Sequence, residues 1–240
     1  MKKNLHLKED VFKTVKHALP AITKLFLFLI VCLTGKAQTA LNEPCGTTEY
    51  MNLLMQNDPT LESRTMNYEQ QIQQWIENHP VNTGATVTIP VVVHVIHKGE
   101  SVGTGTNISA SSIIAAIDLM NDHFSSAIGA GVNTGIQFCL AARKPNGTST
   151  TGIIRVNGAG VPNYSNYGIA ATINNICSVG ADETDIKDLS RWPVADYLNI
   201  WVVSEICNGQ WNAYSAFPST SAYTGVVIRS SSISSPNLLT

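Results

Sequence analysis

Residues 87–96 form a nearly unbroken apolar run in which Val91, Val92 and Val93 stand side by side, followed by Val95 and Ile96. A strand with one wet face alternates apolar with polar residues. One carrying β-branched residues at consecutive positions needs cover on both faces. This run therefore predicts a central strand in a layered fold. Residues 99–106 read as a loop. Ser109 then caps a helix whose Ile113, Ile117, Met120 and Phe124 share one stripe, ending before Gly129. Ile136, Phe138 and Leu140 alternate with Gln137, Cys139 and Ala141, as in a half-covered strand. Residues 157–195 are a Gly-, Asn- and Ser-rich excursion, longer than ordinary loops and so functional or locally stabilised. Three more strands follow at 198–203, 212–217 and 225–228. Strand, helix, then several strands predicts an α/β sheet with helices on one side. No internal repeat is visible.

The 44% hydrophobic fraction of the 240 residues supports a core, while only 13% are charged. The usual charged share is about 25%, so the surface must rely on Ser, Thr, Asn and Gly, a balance that suits a secreted protein. A net charge of -2 leaves no electrostatic footprint for nucleic acid. The apolar stretch 25–33, preceded by Lys13, Lys16 and Lys24, is shorter than the roughly 20 residues a spanning helix needs. It is expected to be a signal peptide covering 1–37, with no membrane contact after its removal. A lipoprotein anchor at Cys32 is the rival, but Val31 is larger than such processing prefers. Asp58 and Pro59 open a helix in which Leu61, Tyr68, Ile72 and Trp75 fall near helical spacing, closed by Pro80. Residues 81–86 are a linker by composition. At the other end, Ser235 and Pro236 read as the start of a helix expected to continue past Thr240.

Chemistry is sparse. His94 and His97 lie three apart on a predicted strand and so point to opposite faces, which suits ordinary sheet histidines rather than a chelating pair. No i, i+4 His pair exists, and no Gly-x-Ser-x-Gly elbow. Gly103 and Gly105 lack the rest of a dinucleotide fingerprint. Asp182, Glu183, Asp185 and Asp188 offer carboxylates for Ca2+, but their spacing matches no EF-hand, and a solvated loop is the expected reading.

Five stretches, 89–97, 135–141, 197–203, 211–218 and 224–228, are collinear with, and resemble, the pappalysin family of metzincin metalloproteases. The resemblance runs from about Cys45 to Thr240. It implies a twisted mixed sheet with an antiparallel edge strand and a backing helix, the upper metzincin subdomain. It also implies a propeptide with its linker at 38–86 and the upper catalytic part at 87–240. The family's H-E-x-x-H-x-x-G-x-x-H motif would follow Thr240, so Zn2+ belongs to the complete enzyme and its ligands are absent here. In the complete enzyme that zinc would activate water for peptide hydrolysis. Asn212, Ala213, Tyr214, Ser215 and Ala216 would form the edge against which an extended protein or peptide substrate pairs. Cys45, in Pro44-Cys45-Gly46-Thr47, resembles the Cys-Gly-Thr of pappalysin zymogens, whose thiolate would ligate the zinc and hold the enzyme latent; half of a disulfide is the alternative. Cys45, Cys139, Cys177 and Cys207 allow three pairings if all are oxidised. Cys177 with Cys207, both in loops, is preferred, and Cys139 reads as a buried small hydrophobe.

The expectation is therefore a secreted zinc-dependent endopeptidase precursor, inactive as an isolated 240-residue chain. A non-catalytic peptide-binding module using the exposed edge strand, and a non-functional gene fragment, are the alternatives.

Overall fold

Strand β1 (Val87–His97) is the spine of a six-stranded sheet, and all of Val91, Val92, Val93, His94, Val95 and Ile96 are buried. The structure is a computed structural model and describes residues 45–79, 86–171, 177, 179–216 and 221–234. The expected signal peptide, Cys32, most of the linker and the helix begun by Ser235 lie outside the described residues. Among the described residues no helix is long and apolar enough to cross a membrane.

On one side β1 pairs with β2 (Ile136–Leu140) along its first half and with β3 (Ile153–Asn157) along its second. On the other side it pairs with β4 (Leu198–Val203). All three pairings are parallel. Beyond β4 lie β6 (Gly225–Arg229), also parallel, and β5 (Ala213–Ala216), antiparallel at the edge. This is the mixed α/β sheet with an antiparallel edge that the strand pattern and the resemblance implied. Strand β3 carried no clear alternation and was not foreseen.

Both faces of β1 are covered, by different means. Val91, Val93 and Val95 meet Ile113 and Ile117 of α3 (Ala110–Phe124), together with Phe138 and Val202. Ser109 caps α3 as its sequence suggests: its side chain accepts the Ser112 N–H. The opposite face is not covered by a long helix. Ile96, Trp201, Val203, Tyr214 and Val227 pack there against Tyr164, Ile169, Ile186 and Ile206, and against Tyr50 from the N-terminal segment. The excursion 157–195 thus supplies much of the core on this face. It holds two short helices, α4 (Tyr164–Tyr167) and α5 (Glu183–Asp188), and Cys177 in it forms a disulfide with Cys207. Cys139, expected to be buried, is an exposed free thiol. It sits on the face of β2 that α3 does not reach, and its inward neighbour Phe138 takes the core position instead.

Upstream, α1 (Thr47–Asn57) was not anticipated, while α2 (Thr60–Asn78) occupies the expected span. Asp58 Oδ1 accepts the Thr60 N–H at 3.0 Å, capping α2. The apolar spacing along α2 does not signal burial: Tyr68, Ile72 and Trp75 are all exposed, and no residue of α2 is buried. Helix α1, by contrast, buries Tyr50, Met51 and Leu53.

Candidate functional site

Strand β5 has one edge on β6; the other faces residues 45–47. Cys45 pairs with Ala213 in the parallel sense, and the Gly46 N–H donates to the Ala213 carbonyl at 2.9 Å. The Ser215 N–H donates to Thr47 Oγ1 at 3.1 Å. Two of the outward backbone groups there, the Ala213 C=O and the Ser215 N–H, are therefore already satisfied from within the chain. Of the residues expected to meet a substrate, Asn212, Ala213, Ser215 and Ala216 are partly buried at this edge, whereas Tyr214 points into the core at 1% exposure. The cover of this edge is the segment around Cys45.

Gly46 explains how that segment fits. Its φ of -85° is ordinary, so conformational freedom is not the reason for glycine here. The reason is space: a Cβ at this position would sit 2.1 Å from the buried Trp211 indole. Gly46→Ala must push the segment off Trp211, an overpacking penalty of about 1–3 kcal/mol. We expect residues 45–50 to lose roughly ten- to a hundredfold of their amide protection in hydrogen exchange. Unchanged protection would mean the contact with Trp211 does not hold the segment.

Cys45 itself is exposed and free, its Sγ donating to Thr47 Oγ1 at 3.3 Å. One helical turn on, the Tyr50 N–H donates to the Gly46 carbonyl at 2.9 Å, and the Tyr50 side chain is fully buried. Its hydroxyl donates to Glu183 Oε2 at 2.7 Å, and its ring lies 4.6 Å from that of Tyr214. The other Glu183 oxygen faces Lys187 Nζ at 2.6 Å, both side chains at 0% exposure. Lys187 Nζ also donates to the Tyr223 carbonyl at 2.8 Å and sits 4.9 Å from the centre of the Trp201 ring. Burial lowers the Lys187 pKa, and the Glu183 carboxylate pulls it back up. Burial, then the neighbouring carboxylate, pushes both tyrosine hydroxyls well above their usual range.

This cluster overturns the expectation for the acidic run. Residues 182–188 are not a solvated loop: Asp182 caps α5, Glu183 and Lys187 are an internal ion pair, and only Asp185 and Asp188 face outward. The signal was present in sequence as an i, i+4 Glu–Lys pair after an Asp cap. Nor does Ca2+ fit there, because Glu183 already serves Lys187 and Tyr50.

His94 and His97 lie on opposite faces. The His94 Nε2–H donates to Asn199 Oδ1 at 2.9 Å, while His97 Nδ1 accepts the Gly99 N–H at 3.0 Å. Among the described residues no three His, Cys, Asp or Glu side chains converge on a point that could hold a metal ion. The described residues by themselves do not make up a ligand set for the zinc that the resemblance implies.

No protein-family model matches the chain, and no curated protein does. Solved structures do. A variant of promirolysin from Tannerella forsythia is 26% identical, with a TM-score of 0.54, over 78% of this chain and 60% of its own. Mature mirolysin from the same organism, in complex with a cleaved peptide, is 28% identical over 61% of this chain and 54% of its own, with a TM-score of 0.43. The chain thus spans about 60% of the length of the promirolysin structure. Promirolysin is a metzincin-type metalloprotease of the pappalysin family, and it shares the twisted mixed sheet, the antiparallel edge strand and the helices described above. The chain has a metzincin-like fold.

Proposed function

We propose that residues 87–240 are the upper, substrate-facing part of a secreted, pappalysin-type zinc endopeptidase, and that residues 38–86 are its propeptide. The zinc ligands would come from outside the described residues. One observation carries this reading: residues 45–47 already occupy the β5 edge, where an extended peptide would pair, with a free thiol at their head. An edge strand offers unpaired N–H and C=O groups to any extended peptide, so a segment that fills them competes directly with substrate. The pairing is parallel and, among the described residues, a single bridge. Parallel pairing is slightly weaker per residue than antiparallel, which suits a segment that must leave.

The free state of Cys45 bears on its role. Cys177 and Cys207 pair with each other, so neither is available to it, and Cys139 is exposed on β2, far along the sheet order from β5. A thiol left unpaired at the sheet edge fits a removable metal ligand better than half of a structural disulfide.

The test uses the chain together with the coding sequence beyond Thr240. Cys45→Ala should make the uncleaved precursor hydrolyse a mixed peptide library at least about tenfold faster than the unsubstituted precursor, because the thiolate no longer competes for the metal. Equal rates before cleavage, with full activity after it, would reduce residues 45–47 to a steric cover and remove the thiol from the mechanism. No zinc and no hydrolysis in the extended protein would end the peptidase reading.

A further inference from the structure

We propose that the slot filled by the Tyr50 side chain is a phenol-binding pocket, which takes a tyrosine side chain of a bound peptide once residues 45–57 withdraw. The proposal rests on the propeptide reading above. The walls that set its chemistry belong to the part that would remain. Tyr214 is on β5, Glu183 and Lys187 are on α5, and Trp201 is on β4. The acceptor is fixed without help from Tyr50, because Lys187 pairs with Glu183 and is itself held by the Tyr223 carbonyl.

The chemistry of those walls selects the ligand. The charge on Glu183 is balanced by Lys187, so a second cation would be repelled by Lys187 and an anion by Glu183. Glu183 Oε2 asks for one O–H donor, and the Tyr214 ring offers an aromatic wall 4.6 Å from the centre of the present occupant. A neutral aromatic ring bearing a hydroxyl meets both demands. A phenylalanine ring would fill the space but leave a buried carboxylate oxygen without its donor, the costly outcome for such groups. The entrance is also set: the chain now in the slot arrives from the β5 edge, with Gly46 bonded to Ala213 and Tyr50 one helical turn further on. A peptide captured on that edge comes in from the same side.

The experiment uses the full chain carrying Tyr50→Ala, titrated with p-cresol, which reproduces the tyrosine side chain, and with toluene, which lacks the hydroxyl. Calorimetry should show p-cresol binding at least about tenfold more tightly, the factor expected for a hydrogen bond to a charged acceptor. The unsubstituted chain, with its slot filled, should bind neither. Equal affinities for the two ligands, or equal p-cresol binding by the unsubstituted chain, overturns the proposal. Should Tyr50→Ala be unfolded alone, the ligands are added during refolding. Recovery of near-ultraviolet circular dichroism with p-cresol and not with toluene supports the pocket, and recovery with neither rejects it. Withdrawal is read separately, by cutting the unsubstituted chain at the exposed Arg64 with trypsin and asking whether residues 45–57 dissociate. A tenfold preference without dissociation leaves the pocket standing and ends the propeptide reading, whereas dissociation without a preference does the reverse.

Discussion

Lys187→Met is expected to destabilise the protein by about 3–5 kcal/mol, the range seen when one partner of a buried ion pair is removed. Lys187 and Glu183 are both at 0% exposure, so water cannot replace the lost partner. The Glu183 charge would be left among Tyr50, Tyr214 and Trp201, stabilised by tyrosine hydroxyls rather than by a cation. Total stabilities of domains run to about 5–15 kcal/mol, so the variant should be close to unfolding at growth temperature. Adding Glu183→Gln to Lys187→Met should recover part of the loss, because the unpaired charge rather than the missing contact is the main cost. Urea unfolding of the two single variants and the double would show this as a strong negative coupling. A Lys187→Met protein within about 0.5 kcal/mol of the unsubstituted one, the range typical of surface changes, would mean the pair is open to solvent.

Acid is expected to be nearly as damaging, through His94. The ring is fully buried, stacked 5.1 Å from Trp201 and edge-on to Trp192. Its Nε2–H bond to Asn199 fixes the neutral tautomer, and Nδ1 has no hydrogen-bond partner among the described residues. A second proton would go to Nδ1, which no described residue is placed to accept from. Burial first, with the Arg191 charge adding to it and the Asn199 bond opposing, brings the His94 pKa down from 6.5 to about 4. The unfolded chain therefore binds the proton more readily than the folded one. The contribution is complete above about pH 6.5 and is lost as the pH falls towards 4. At about 1.4 kcal/mol per pH unit, that loss is about 3 kcal/mol. Glu100, where burial is outweighed by hydrogen bonds from its own backbone N–H, from Thr106 and from Lys98 and the carboxyl is held at about 2, weakens the fold only at still lower pH, so the two windows are separable. Stability measured in urea at pH 7 and pH 4.5 should fall much less in His94→Gln than in the unsubstituted protein. Equal falls would place the acid sensitivity elsewhere.

The elements read well from sequence are those whose pattern reports a local cause. The double-faced run at β1, the Ser109 cap with its stripe in α3, and the alternation in β2 each dictate their own conformation. The α2 stripe shows the limit of this logic: helical spacing reports a helix, but not that a surface exists to bury Tyr68, Ile72 and Trp75. The site was less legible, because its parts lie far apart in the chain. Tyr50 meets Glu183 across 133 residues, and nothing near either residue announces the other. The low polarity of the slot was hidden as well. Glu183 and Lys187 look like a solvated helix pair until Trp201 and Tyr214 are seen to close over them. Cys139 failed for a local reason: Phe138 and Cys139 alternate, and only one of them can face α3.

The central place of β1 has a consequence for how the chain reaches its fold. β1 gains its first partners, β2 and β3, within about 60 residues, but its other edge waits for β4, which begins at Leu198. Pairings of such high sequence separation form slowly, since loop-closure entropy must be met before any contact rewards it. Until then a long strand, apolar on both faces, carries an open row of N–H and C=O groups, a template for another chain in the same state. Refolding yield should therefore drop steeply with protein concentration, with the aggregates joined through residues 91–96. Synthesis from the N-terminus keeps that edge exposed until the ribosome has delivered more than a hundred further residues, an interval in which a chaperone that shields extended apolar strands has most to offer.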